Sequence, residues 1–173
     1  YSLSTYSQEE IVSREYIALE HPDVVVNVVD ATALERNLFF TLQLLEMGIP
    51  LVLALNLVDD AKKKGITIDE IKLQNILQFP VVPTIATKGI GVHEIVDVAL
   101  EQASRPSVAN RKIIRYGPEI EKRIDKLERA LLGIDIGYPL RWTAIKLLEG
   151  DSEVTREVNE KNPDITIAAT ILA

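Results

Sequence analysis

The sequence predicts an α/β protein, a parallel sheet flanked by helices, followed by a small all-helical domain. Three observations carry this reading. The run at 24–29 is β-branched without polar alternation, as a strand of a parallel sheet buried on both faces is, and the runs at 50–55 and 81–86 are strand-like too. Helical periodicities separate them, giving a strand–helix alternation. After Arg105-Pro106-Ser107 amphipathic stripes continue but no convincing strand follows.

Each element has its own signal. Ser7-Gln8-Glu9-Glu10 fits a capping box, and Ile11, Val12, Tyr16, Ile17 and Leu19 follow, predicting a helix from about Gln8 to Glu20 that Pro22 closes. Val24 to Val29 is the first strand, with Asp30 at its end. Leu34, Leu38, Leu42 and Leu45 recur at helical spacing, and Gly48 makes a helix stop. Pro50 to Leu55 is the second strand. Thr67-Ile68-Asp69-Glu70 is a second capping box, opening a helix through about Gln78. Val81 to Ala86 is the third strand, and Val92, Ile95, Val96, Ala99 and Ala103 mark another helix. Right-handed crossovers would set these strands side by side, with ligands expected beyond their C-terminal ends. Asp30, Asn56 to Asp59 and Thr84 to Thr87 fall there. Beyond that, Ile120, Ile124, Leu127 and Leu131 share one helical stripe. Pro139 to Glu149 is a helix with Trp142, Ile145 and Leu148 to one side, and Asp151 to Lys161 is mostly polar. The expected division is 1–105 and 106–173.

Composition narrows the chemistry. The 173 residues are 47% hydrophobic, enough for a packed core, with a formal charge of −7. The pI near 4.9 and interspersed basic residues argue against a nucleic-acid surface. The absence of cysteine excludes disulfides, zinc–thiolate sites and cysteine nucleophiles within these residues. No run approaches the roughly 20 apolar residues that span a bilayer, and the first residues do not read as a leader. His21 and His93 lack ligand-spaced partners and read as surface residues, and Asp30 reads as a polar lead into a turn.

The chemistry concentrates in Asn56-Leu57-Val58-Asp59 at the end of the second strand. Guanine presents two adjacent donors, N1–H and the 2-amino group, and one carboxylate can accept both. Asp59 is the candidate, with charge-assisted bonds worth roughly 1.5–3 kcal/mol each. Adenine carries an acceptor at N1 and leaves the carboxylate unmatched. Asn56 would orient the loop and reach N7. In GTPases a backbone N–H from the loop at the end of the third strand donates to guanine O6; here that loop holds Ile85-Ala86-Thr87, and Ala86 is the candidate donor. The spacing by itself is also that of an ordinary strand-to-helix turn, where Asn and Asp are favoured anyway. Likewise, Lys88-Gly89 reads as a turn. No glycine-rich phosphate loop occurs in these residues, and a sheet without its phosphate-loop strand should expose an apolar edge.

Val24 to Thr32, Leu34 to Leu38, and Thr41 to Pro50 leading into Leu53-Ala54-Leu55-Asn56 resemble the cytosolic GTPase domain of FeoB, the prokaryotic ferrous-iron transporter family. The opening Tyr1-Ser2-Leu3-Ser4 is similar to the segment after that family's Asp-x-Pro-Gly switch motif, and the tail, more loosely, to its helical domain. The resemblance implies the C-terminal half of a P-loop GTPase fold, then a helical domain associated with GDP retention. It implies GTP/GDP binding and GTP hydrolysis that regulate Fe(II) uptake, with Mg²⁺ held by motifs outside these 173 residues. It implies a location at the cytoplasmic side of the inner membrane, the transporter's own membrane domain as partner, and leaves homo-oligomerisation open. Asn56, Leu57 and Asp59, with Ile85, Ala86 and Thr87, would bind the nucleotide, and no catalytic residue or metal ligand is assigned. Ser7 to Glu20 and the tail would relay the switch. Two departures stand out: Leu57 replaces the family motif's Lys, and Ile85 replaces a Ser whose hydroxyl would brace Asp59. The reading from a different class is a non-enzymatic α/β interaction or receiver-like module, which would need an acidic cluster at the first strand end.

Overall fold

The computed structural model describes residues 8–104 and 115–161. In chain order these form α1 (Gln8–Glu20), β1 (Val25–Asp30), α2 (Leu34–Glu46), β2 (Leu51–Asn56), α3 (Val58–Lys63), α4 (Glu70–Leu77), β3 (Val81–Thr84), α5 (Val92–Ser104), α6 (Pro118–Ala130), α7 (Leu140–Glu149) and α8 (Ser152–Lys161). Packing groups them into two compact units, one drawn from Pro22–Ile113 and the other from Tyr1–His21 with Ile114–Ala173.

In the first unit the sheet is parallel with order β1-β2-β3. β2 is its centre, and Leu51 through Leu55 are all at most 1% exposed. That is the two-sided burial its unbroken aliphatic run predicts. α2 packs on β1, α4 on β3, and α5 lies against all three strands. β1 departs from expectation. Among the described residues it pairs on one side only, and Val26 and Val28 are 37% and 63% exposed. An aliphatic run reports two-sided burial only where both faces are covered, and no described element covers one face of this strand.

The helix stripe on α2 also differs. Its buried residues are Thr41, Gln43 and Leu44, while Leu42 is exposed. Asn27 explains the polar choice, because its Nδ2 donates to Thr41 Oγ1 at 2.7 Å, satisfying two groups between β1 and α2. The cap of α4 is Asp69 rather than Thr67: Asp69 Oδ1 accepts from Lys72 N–H at 2.9 Å. The first predicted cap, Ser7, lies outside the described residues.

The second unit packs α6 on α7 and α7 on α8. Ile124, Leu127, Leu131, Trp142, Leu147 and Val158 are at most 1% exposed, whereas Ile120 at the start of the α6 stripe stays open. α1 belongs to this unit by packing, although the sequence division near residue 105 sets it with the sheet. Arg14 makes α1's long-range side-chain links. Arg14 is buried, reaches Asp151 at 3.3 Å and Glu153 at 3.0 Å, and lies over the rings of Tyr138 and Trp142. Those rings stack 4.7 Å apart. α1 therefore buries Arg14, Ile17 and Ala18 and exposes Val12, Tyr16 and Leu19. Lys146 is buried too, ion-paired to Glu149 at 2.7 Å beside the Trp142 ring. Glu121 takes Arg141 at 2.7 Å and Arg115 at 2.9 Å, and the Arg141 bond holds its carboxyl below the usual range.

Candidate functional site

The C-terminal ends of β2 and β3 are set level by their register, which pairs Asn56 with Thr84. Both backbones then turn away from the sheet, so the side chains leaving these two positions meet. Asn56 Oδ1 accepts from the Ala86 N–H at 3.0 Å and from Thr84 Oγ1 at 3.3 Å. One side-chain oxygen thus staples the loop after β2 to the loop after β3.

The turn out of β2 is abrupt. Leu57 adopts a left-handed backbone, φ 62° and ψ 32°. For a residue with a Cβ this costs about 1–2 kcal/mol, and such conformations collect where a site demands them. The Leu57 carbonyl accepts from Asp60 N–H at 3.1 Å and Ala61 N–H at 3.0 Å, so α3 begins at once. Buried Ala61 anchors that helix. The consequence is positional: Asp59, in the first turn of α3, is brought to the strand ends. A cleft of about 420 Å³ opens beside it, with Val58, Lys62, Ile66 and Ile85 among its walls.

The loop after β3 is equally constrained. Ile85 and Ile90 exchange backbone hydrogen bonds, Ile85 N–H to Ile90 O at 3.0 Å and Ile90 N–H to Ile85 O at 3.3 Å. Between them Ala86–Lys88 forms a single 3₁₀ turn. Gly91 closes the loop at φ +78°, where a Cβ would stand 2.4 Å from the Pro83 carbonyl oxygen, so glycine is required on two counts. This clipped turn aims Lys88 at Asp59: Nζ donates to Oδ2 at 2.7 Å, while Oδ1 accepts from the Asp60 N–H at 3.1 Å. The Lys88 hydrogen bond holds the Asp59 carboxyl below its usual value, more than partial burial raises it.

All six residues singled out in the sequence, Asn56, Leu57, Asp59, Ile85, Ala86 and Thr87, lie at these two strand ends. The Ala86 N–H, expected to face a ligand carbonyl, is engaged by Asn56. Asp59 is held by Lys88. Thr84 falls among the residues expected at the ligand-facing strand ends, whereas Lys88 reads in the sequence only as part of a turn. Lys88 is three residues past the Ile85 position in a Lys-Gly turn, and only the clipped loop directs it back. Asp30 accepts from the Thr32 N–H at 2.7 Å and caps the short 3₁₀ turn after β1, matching its reading as a turn residue. His21 and His93 are exposed. Among the described residues no group of three or more His, Asp or Glu is placed to hold a metal ion.

A parallel α/β sheet that turns its polar loops out at the carboxyl ends of adjacent strands is of the class that binds ligands there. The family model for ferrous iron transport protein B matches residues 1–99, and the model for the FeoB cytosolic helical domain matches 116–173. The chain belongs to the ferrous iron transport protein B family. It is 43% identical over 166 residues to an Fe(2+) transport protein A/Fe(2+) transporter FeoB fusion protein of Porphyromonas gingivalis, which covers 93% of this chain and 20% of that protein. It is 38% identical over 155 residues to the Fe(2+) transporter FeoB of Escherichia coli K12, covering 87% and 20%. The chain therefore spans about a fifth of the curated relatives it matches. Among solved structures, it superposes on the cytosolic domain of the T. maritima FeoB iron transporter in its GMPPNP form with TM-score 0.81 at 32% identity, covering 99% of this chain and 71% of that one. For mGMPPNP-bound NFeoB from S. thermophilus the TM-score is 0.78 at 37% identity, covering 98% and 65%.

Proposed function

We propose that this chain is the guanine-reading part, with the adjoining helical domain, of a GTP-binding and GTP-hydrolysing region that regulates Fe(II) uptake by a membrane transporter. The observation that carries it is the convergence of Asn56 and Asp59 from β2 with the Ala86 turn from β3, on a strained Leu57 backbone. The guanine-nucleotide forms of the superposing relatives support it.

The residues fit the ligand. Asp59 presents an ionised carboxylate whose two oxygens match N1–H and the 2-amino group of guanine. Asn56 keeps the Asp59 loop and the Ala86 turn in register, so that a small shift of the turn frees the Ala86 N–H for O6. Leu57 and Ile85 supply apolar contact for the ring. A bound GTP would supply the phosphoryl group and Mg²⁺ its charge neutralisation, but the described residues include no ligand set for that ion and none is given a part in the reaction. The residues described here select the base. The transporter's own membrane domain is the partner that would receive the switch, at the cytoplasmic side of the membrane.

The test is competition for fluorescent GDP by GTP, ATP and XTP on the full-length protein. Guanine preference is expected. In Asp59→Asn the amide would donate where guanine donates and match the 2-oxo group of xanthine, so preference should pass to xanthine nucleotides. Discrimination by polar matching reaches roughly 10⁴-fold in sites of this kind. Unchanged guanine preference in Asp59→Asn would remove that residue from the role.

A further inference from the structure

The base-reading carboxylate carries an occupant from its own chain. Lys88 Nζ lies 2.7 Å from Asp59 Oδ2, and Asp60 N–H takes Oδ1 at 3.1 Å. The Ala86 N–H is likewise taken by Asn56. Each carboxylate oxygen offers two acceptor directions. The Asp60 bond leaves Oδ1 room for one further donor, whereas a guanine fork must share or displace the ammonium on Oδ2. The Lys88 side chain is 57% exposed and that of Asp59 22%, so the lysine can leave into water at low cost. Its Cα cannot stray, because the Ile85–Ile90 exchange clips the turn that bears it.

We infer that Lys88 is a specificity-determining positioning residue, standing in for a guanine donor on Asp59 and yielding to a base that brings two donors. This rests on the reading of Asp59 as the guanine acceptor. Guanine brings N1–H and the 2-amino group and must compete with Lys88 for Oδ2, by displacing it or by sharing the oxygen with it. Hypoxanthine brings N1–H alone, which Oδ1 can accept while Lys88 stays on Oδ2. Lys88 therefore makes loss of the 2-amino group less costly and narrows the preference for guanine over hypoxanthine. It also holds the carboxylate in place between ligands, the service a hydroxyl at position 85 would render.

The experiment measures GDP, IDP and XDP binding to the full-length protein and to Lys88→Met, which keeps an unbranched apolar stem without the charge. GDP should tighten roughly two- to fivefold, the range that an exposed ion pair is worth. IDP should change less, so the GDP/IDP ratio widens. Lys88→Arg should keep the parent ratio. In the Asp59→Asn background, adding Lys88→Met should leave XDP binding unchanged, because the partner charge is gone. Weaker GDP binding in Lys88→Met, equal shifts for GDP and IDP, or an XDP shift that persists without the Asp59 carboxylate would each overturn the inference and point to Lys88 acting on the phosphates or ring. Should Asp59→Asn fail to move preference toward xanthine, the guanine reading itself falls. If it does move and Lys88→Met is silent, the role of Lys88 alone falls.

Discussion

Two ion pairs, one in each unit, are built in opposite ways. In the helical unit, Arg14 and Asp151 meet with side chains 7% and 4% exposed, and Lys146 is sealed at 1%. At the strand ends, Lys88 and Asp59 meet at the shorter distance of 2.7 Å with side chains 57% and 22% exposed. Short separation does not measure strength. A buried pair is held because either charge left unpartnered in a low-dielectric interior is costly. An exposed pair is exchangeable, since water and salt compete on equal terms. Locked charges organise a core, and exchangeable ones can be traded for a ligand.

The comparison breaks hardest at Trp142. This ring is fully buried, stacks on Tyr138 and lies within 5.7 Å of both the Arg14 and Lys146 cations. Trp142→Ala should cost about 3–5 kcal/mol in urea unfolding, the range for emptying an aromatic site. Next comes Arg14→Met. Asp151 keeps the N–H bonds of Glu153 and Val154 at 3.0 Å each but loses its buried cation. A loss of about 3 kcal/mol is expected in the same assay, and an unchanged midpoint would mean that α1 is held by Ile17 and Ala18 alone. The smallest stability effect is on the other side. Gly91→Ala must move backbone away from the Pro83 carbonyl at a positive φ, costing about 1–3 kcal/mol. Its second readout is the informative one: discrimination of guanine from adenine nucleotides should fall because the turn carrying Ala86 shifts.

Much of the α/β layer was legible. Runs of aliphatic residues fixed three strands, and periodicity the helices between them, because burial and chain geometry both act locally. The six candidate site residues fell at two neighbouring strand ends for the same reason: parallel topology places every such end on one edge of the sheet. What was not legible depended on partners far in sequence. α3 was missed because six mostly polar residues carry no stripe, and it starts only where Leu57 goes left-handed. Thr67 and Asp69 are both good caps, and the competition was decided by which oxygen could reach a free N–H. Val26 and Val28 look like core residues, yet no described element covers their face.

By itself, then, the sequence determined the order of strands and helices, the acidic, cysteine-free character of the surface, and the residue types offered at the strand ends. These follow from side-chain volume, polarity and backbone preference within a few residues. Tertiary structure alone decided which charges meet. Arg14 reaches Asp151 across 137 positions and Lys88 reaches Asp59 across 29. Coulomb attraction and desolvation depend on distance and burial in space, so no local pattern could show that one of these pairs is locked and the other exchangeable.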